Sequence, residues 1–173
     1  MKTARIEIRN AQLDDVYQIA AFLDDCWKVS YRNILSDEYL DGLNVKARYA
    51  VLHKRYTKGF SDFQMMHMGT KLIGIAIFGK SFTEGYEDDG EISALYLIED
   101  YIGNGFGHHF LKLIEQALKK KRYRSYILDV LTENARAIRF YQAHGYIIVD
   151  NRSIRLNNSD YPLTIMRKTD EMV

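Results

Sequence analysis

Polar and apolar residues alternate from Arg5 to Ala11, the period of a half-buried strand. From Asp14 the period changes. Leu13, Val16, Ile19, Ala20 and Leu23 fall on one helical stripe, which predicts a helix to about Tyr31. Ser36 is a good N-cap for a second helix through Tyr39, Leu40 and Leu43, and a third is expected from Val45 to Tyr56. Phe63–Met68 and Lys71–Phe78 read as two strands joined at Gly69-Thr70, a hairpin signal. Ser81 to Asp89 is polar and acidic, and reads as loop. Glu91 to Ile98 is a nearly continuous apolar run, the pattern of a strand inside a sheet. After the glycines between Gly103 and Gly107, residues Phe106, Phe110, Leu113, Ile114 and Ala117 repeat at helical spacing to about Lys121. Tyr126 to Leu131 reads as a buried strand, and Asn134 caps a helix that runs to His144 and ends at Gly145. Tyr146–Val149 and Leu163–Met166 supply the last strands. A hairpin followed by strand–helix–strand–helix–strand implies an α/β or α+β domain around one partly antiparallel sheet.

Composition narrows the picture without redirecting it. The 173 residues suit one domain, 1–173, and the one proline, Pro162, with no Ser/Gly-rich stretch, marks no linker. A formal net charge of +1 points neither to nucleic acid nor to a membrane surface. The first residues lack the apolar core of a signal peptide, and no apolar run reaches the roughly 20 residues that span a bilayer. One cysteine, Cys26, excludes an internal disulfide framework and gives no metal-ligand spacing. The expectation is a cytoplasmic protein without a metal, and a homodimer is compatible with the chain.

Two motifs carry chemistry. In Gly103-Asn104-Gly105-Phe106-Gly107, glycines allow positive φ and close backbone approach, and the following helix N-terminus adds partial positive charge, so the turn suits a pyrophosphate. It is not a P-loop, because Gly-Lys-Ser/Thr is absent, and its G-x-G-x-G spacing is not the dinucleotide fingerprint. The second motif runs from Leu128 through Asn134 and Tyr141 to Tyr146. Asn134 and Tyr141 are about two helical turns apart and share a face, so an amide and a phenol can reach one ligand. Taken alone, the first motif reads as readily as a plain turn, and the second reads better as an N-cap and a packed tyrosine.

Together and in this order, the motifs resemble the acetyl-CoA site of the GNAT N-acetyltransferases. Gly103, Gly105, Gly107, Asn134, Ala137, Phe140, Tyr141, Gly145 and Tyr146 stand in register with that pattern. Ile102 replaces the usual Gln/Arg, and Glu99 the proline often found before it. Ile102 removes a polar side chain but no backbone N–H. Cys26-Trp27 to Leu40 loosely resembles the ribosomal-protein N-acetyltransferase-like branch. The resemblance implies a mixed, mostly antiparallel sheet flanked by helices and splayed between the strand ending at Ile98 and the strand at Tyr126–Leu131. It implies that pantetheine pairs with backbone near Leu95 and Leu97, that Ile102, Gly103, Asn104, Gly105, Phe106 and Gly107 hold pyrophosphate, and that Asn134 holds the arm. It further implies acetyl transfer from acetyl-CoA to a primary amine by direct attack. The acceptor amine, with a pKa near 10.4 if lysine-like, must lose a proton first. Glu91 is the expected base, Tyr141 the expected acid for the thiolate, and Trp27, Tyr31 and Tyr39 the acceptor wall. The alternative is a CoA-binding module without turnover, a sensor or interaction partner. Ile102 favours it, while Glu91 and Tyr141 argue against it.

The remaining features read more simply as structure. Cys26 suits packing. His108 and His109 suit an exposed helix start. Lys119 to Arg122 and Arg124 suit a solvated basic helix end. The acidic run Glu84, Glu87, Asp88, Asp89 suits a soluble loop, although it would also attract a cationic amine.

Overall fold

A computed structural model describes residues 5–170. Its elements are β1 (Ile6–Asn10), α1 (Val16–Ser30), α2 (Asp37–Asp41), α3 (Val45–Thr57), β2 (Ser61–Met68), β3 (Lys71–Lys80), β4 (Gly90–Leu97), α4 (Phe106–Lys120), β5 (Ser125–Leu131), α5 (Ala135–Ala143), β6 (Ile147–Leu156) and β7 (Ser159–Thr169). The strands form one seven-stranded sheet in the order β1-β2-β3-β4-β5-β7-β6. Every neighbouring pair is antiparallel except β4–β5.

Local chemistry explains the helix starts. Ser36 Oγ accepts from Tyr39 N–H at 3.2 Å, and Asn44 Oδ1 from Lys46 and Ala47 N–H at 2.9 and 3.2 Å. Asn134 Oδ1 accepts from Ala137 N–H at 3.2 Å. The apolar stripes are buried on opposite faces of the sheet. Phe110, Leu111, Ile114 and Leu118 of α4 pack with Phe78, Ile92, Tyr126 and Leu128 on one face. Val16, Ile19, Ala20 and Leu23 of α1 pack with Phe63, Ile75, Ile77 and Ala94 on the other.

Two elements differ from those the sequence pattern predicts. Leu13 is 43% exposed, because residues Leu13–Asp15 form a 3-10 turn ahead of the helix and the buried stripe starts at Val16. The last two strands extend well past Val149 and start well before Leu163, forming a long hairpin with Asn157 at positive φ. β6 is an edge strand with no buried residue, its positions exposed or half-buried, so beyond Val149 it lacks an apolar run. Pro162 is tolerated because it lies beyond the final β5–β7 pair, Leu131 with Leu163.

Candidate active site

β4 and β5 pair only at Gly90↔Tyr126 and Glu91↔Ile127, then part. Past Glu91, the side of β4 that faces β5 has no ladder partner. A cavity of about 80 Å³ sits in the opening, bounded by Leu95 and Tyr96 of β4, Leu128 and Asp129 of β5, and Tyr31, Asn134 and Tyr141. Towards α4 and α5 lies a cleft of about 270 Å³. Leu95, Leu97, Ile102, Gly103, Gly105, Gly107 and Asn134, all expected at the cofactor, line it.

The glycine turn has the conformation that the motif required. Gly103 and Gly105 have φ of 83° and 82°, and a Cβ on either would meet open space. Gly105 is the N-cap of α4, and the first helical bond is His109 N–H to Gly105 O at 3.0 Å. The amides before His109 are therefore the orphan donors of a helix start, and Gly105, Gly107 and His108 line the cleft. Two expected residues do not line the cleft with their side chains. Phe106 packs into the core beside Tyr101, and Asn104 is exposed, its amide donating to Ile102 O at 3.3 Å. An exposed polar residue and a helix-stripe apolar one alternate with the glycines, so only backbone at these two positions can face a phosphate.

Asn134 both caps α5 and lines the cleft, so the structural and functional readings of this residue are compatible. Tyr141 is 8% exposed, and burial pushes its phenol well above the ordinary range. The hydroxyl is therefore a proton donor across the whole neutral range.

On the α1/α3 side the cavity meets a groove of about 880 Å³ that includes Trp27, Tyr39, Arg48, Arg55, Ser93 and Tyr96. Tyr96 borders groove, cavity and cleft alike. Of the expected acceptor wall, Trp27 and Tyr39 line the groove, and the Arg48 guanidinium lies over the Trp27 ring at 4.7 Å while pairing with buried Asp24. Tyr31 stands in the cavity instead, its hydroxyl 2.7 Å from that of Tyr96.

Glu91 is heavily engaged. One carboxylate oxygen accepts from Ser81 Oγ at 3.2 Å, Phe82 N–H at 2.9 Å and Thr83 Oγ1 at 3.3 Å. The other accepts from Ser93 Oγ at 2.8 Å and lies 3.9 Å from Arg55. The sequence reading overlooked Asp129. Solvent reaches its side chain, but the concave walls of the cavity surround it, and burial followed by the charge of Glu91 raises its carboxyl above the usual range. A lone charge within Tyr126-Ile127-Leu128-Asp129-Val130-Leu131 was the available signal.

The secondary features take structural places. Cys26 is buried and its thiol is pushed up to about 12, chiefly by burial. His108 borders the cleft and its Nδ1 lies 2.8 Å from His144 Nε2, while His109 is exposed. Lys119 and Lys121 pair with Asp170 and Asp62 at 3.3 and 2.8 Å. Asp89 is buried against Arg167 at 2.7 Å, and Glu87 accepts from Gly85 N–H at 3.0 Å, so part of the acidic run is internal bonding. Among the described residues, no group of three or more His, Cys, Asp or Glu is arranged to hold a metal, and no helix is long and apolar enough to cross a membrane.

A sheet parted at one parallel pair, with a glycine turn and a helix start at the parting, defines an acyl-CoA-type transferase architecture. The model of the acetyltransferase (GNAT) family matches residues 28–146. An uncharacterized N-acetyltransferase of Bacillus subtilis, YuaI, is 33% identical over 142 residues, 81% of this chain and 79% of its own. Among solved structures, the PaiA N-acetyltransferase of Thermoplasma acidophilum in complex with coenzyme A superposes with a TM-score of 0.75 at 24% identity, covering 95% of this chain and 99% of that one. YncA of Salmonella typhimurium, solved with acetyl-CoA, gives 0.72 at 18% identity, covering 98% and 96%. The chain belongs to the GNAT family and is an N-acetyltransferase.

Proposed function

We propose that this enzyme transfers the acetyl group of acetyl-CoA to a primary amine by direct attack. The observation that carries the reading is the parting of β4 from β5 after Glu91, which leaves unpaired β4 backbone beside Asn134, Tyr141 and the glycine turn. In this reading pantetheine adds alongside β4 at Leu95 and Leu97, and Asn134 holds the arm. The backbone of Ile102 to Gly107 binds pyrophosphate at the positive end of α4. The thioester then lies in the cavity, with the amine arriving from the groove past Trp27, Tyr31 and Tyr96. Tyr141, kept protonated by burial, donates to the departing thiolate. Proton removal falls to the acidic end of the cavity, where Glu91 and Asp129 stand. Dependence on acetyl-CoA, a metabolite of the cell interior, is the ground for a cytoplasmic setting.

The acceptor class is a primary amine: a protein N-terminus, a lysine, a polyamine or a small amine. The test is release of the CoA thiol from acetyl-CoA, followed with a short peptide bearing a free N-terminus, Nα-acetyl-lysine, a diaminoalkane and a small aryl-alkyl amine. Amine-dependent release with at least one is expected. CoA binding without release from any of them would favour the module without turnover, towards which Ile102 leans.

A further inference from the structure

We propose that the groove between α1 and α3 selects an acceptor amine that also carries a carboxylate, and that Arg48 of α3 holds this carboxylate while the amine enters the cavity. This rests on the acetyl-transfer reading above and narrows its acceptor class.

The spacing along α3 builds the groove wall. Arg48, Leu52 and Arg55 recur at i, i+4 and i+7, so they share one helix face. Leu52 is buried against α1 and the sheet, and this draws both guanidinium groups onto the groove. Their side chains are only 20% and 25% exposed. Arginines so far out of water ordinarily have their donors met by acceptors.

Arg48 departs from that rule in a particular way. Its Nε donates to Asp24 Oδ1, and Asp24 is itself 2% exposed. The contact is single rather than bidentate, and Asp24 Oδ2 is buried without a hydrogen-bond partner. Among the described residues, no protein atom accepts from Nη1 or Nη2 of Arg48. Trp27 covers one face of the guanidinium at 4.7 Å. One edge and one face are therefore fixed, and the edge formed by the two Nη groups is left over. That edge matches a carboxylate in a two-point, charge-assisted contact.

The neighbouring charges define the ligand further. Arg55 donates through Nη2 to Ser93 Oγ at 2.9 Å and lies 3.9 Å from Glu91, so it is engaged at the far end of the groove. Two guanidinium groups on one wall disfavour a diammonium acceptor. Asp24, held by Arg48, and Glu38, exposed on α2, also line the groove. A guanidinium already half offset by Asp24 suits a monoanion better than a phosphate dianion, which would be placed beside that carboxylate.

The carboxylate seat is within reach of the chemistry. The Trp27 ring under Arg48 is 5.1 Å from the Tyr31 ring, whose hydroxyl is 2.7 Å from that of Tyr96. Tyr96 borders both groove and cavity, so one small molecule can touch Arg48 at one end and enter the cavity at the other. Burial raises the Tyr31 and Tyr39 hydroxyls and the Arg48 charge opposes the shift at each, which puts this guanidinium in electrostatic contact with both spaces.

The test is amine-dependent thiol release with acceptors matched in length: 6-aminohexanoate against hexylamine and 1,6-diaminohexane, and phenylalanine against phenethylamine. In at least one set the acid-bearing amine should lead in kcat/KM by roughly ten- to hundredfold, the worth of one charge-assisted contact, mainly through KM. Arg48→Gln should bring that ratio close to one, and Arg48→Lys should keep part of it. Because Arg48→Gln leaves Asp24 buried without its partner, the Asp24→Asn/Arg48→Gln double variant is measured beside it. A purely structural role for Arg48 would lower the rates on matched amines together and leave the ratio in place. A wild-type enzyme without preference for the acid in either set, or a preference kept at full size in the folded double variant, overturns the assignment while leaving acetyl transfer intact. A wild-type enzyme that binds CoA and releases no thiol with any amine overturns acetyl transfer itself, and the acceptor class with it.

Discussion

Gly105→Ala separates the conformational role of the glycine turn from its role at the ligand. Gly105 has φ of 82°, and an added Cβ would meet no protein atom within 4 Å. The folded state therefore suffers no clash, only the left-handed penalty of about 1–2 kcal/mol. For a chain of this size that is a fall of about 2–8 °C in Tm. Gly69 is the control, since it has φ of 59°, is equally open, and lies in the β2–β3 turn without lining the cleft. The two alanine variants should lose similar stability. Only Gly105→Ala should weaken CoA, because its methyl would occupy the space proposed for the phosphate oxygens at the start of α4. A hydrogen bond to a charged group contributes about 1.5–3 kcal/mol. Loss of one such bond corresponds to roughly ten- to hundredfold weaker binding. Thermal melting and titration calorimetry with CoA measure both quantities. A folded Gly105→Ala protein with wild-type CoA affinity refutes the placement of pyrophosphate at this turn.

Tyr141→Phe should lower kcat by roughly 10²-fold or more with CoA affinity little changed. Because burial raises the phenol, the wild-type rate profile should show no descending limb at the ordinary phenol pKa of about 10. A Phe variant with wild-type kcat, measured where chemistry limits turnover, would assign Tyr141 to packing. Ile102→Gln should leave CoA affinity equal or tighten it by up to about tenfold, the worth of one neutral hydrogen bond, with a decrease counting against the cleft assignment. Asp15, bonded to Arg9 at 2.7 and 2.8 Å, has its carboxyl lowered to about 2, chiefly by that guanidinium. A depressed carboxylate pKa stabilises the fold above the unfolded value and loses that effect as pH falls towards 2. Asp15→Asn should therefore lower stability at pH 7 by about 1 kcal/mol, allowing for the exposed Arg9, and the difference should vanish by about pH 2 in denaturant melts.

What was legible in the sequence follows from how each feature is encoded. The α1 and α4 stripes, the Ser36 and Asn134 caps and the β2–β3 turn are local, with all their information within a few residues. Chain order alone put the glycine turn and Asn134 on one cleft, because successive β–α units around a sheet bring their helix starts to the same end. The β6–β7 hairpin was only half visible, since β6 has no buried residue and beyond Val149 no apolar run to reveal it. Asp129 was hidden for a different reason. In a strand buried on both faces a charge is anomalous, but only the separation of β4 from β5 shows the space it enters. The engagement of Glu91 was equally unreadable, since Ser81, Phe82 and Thr83 reach it from across a loop.

The register of β4 explains how one strand serves two chemistries. Ile77 pairs with Ala94 and Phe78 with Ile92, so Ser93 is an extra residue in β4. Upstream, Glu91 and Ser93 face α3, where Arg55 donates to Ser93 Oγ at 2.9 Å. Ala94 also faces that side, packed with α1 and α3, so two consecutive residues share a face. A one-residue slip exchanges the faces of everything beyond it. In a regular ladder, Leu95 and Leu97 would point at the groove and Tyr96 at the cleft. With the bulge, Leu95 and Leu97 pack with Phe106 and Phe140 beside the cleft, and Tyr96 turns to bond Tyr31. The same extra residue sets Ser93 to bond Glu91, which joins the floor of the site to the point where the ladder to β5 ends. The acidic end, the apolar wall of the cleft and the opening between the strands are thus linked consequences of one inserted serine and of a parallel pairing that stops at Glu91.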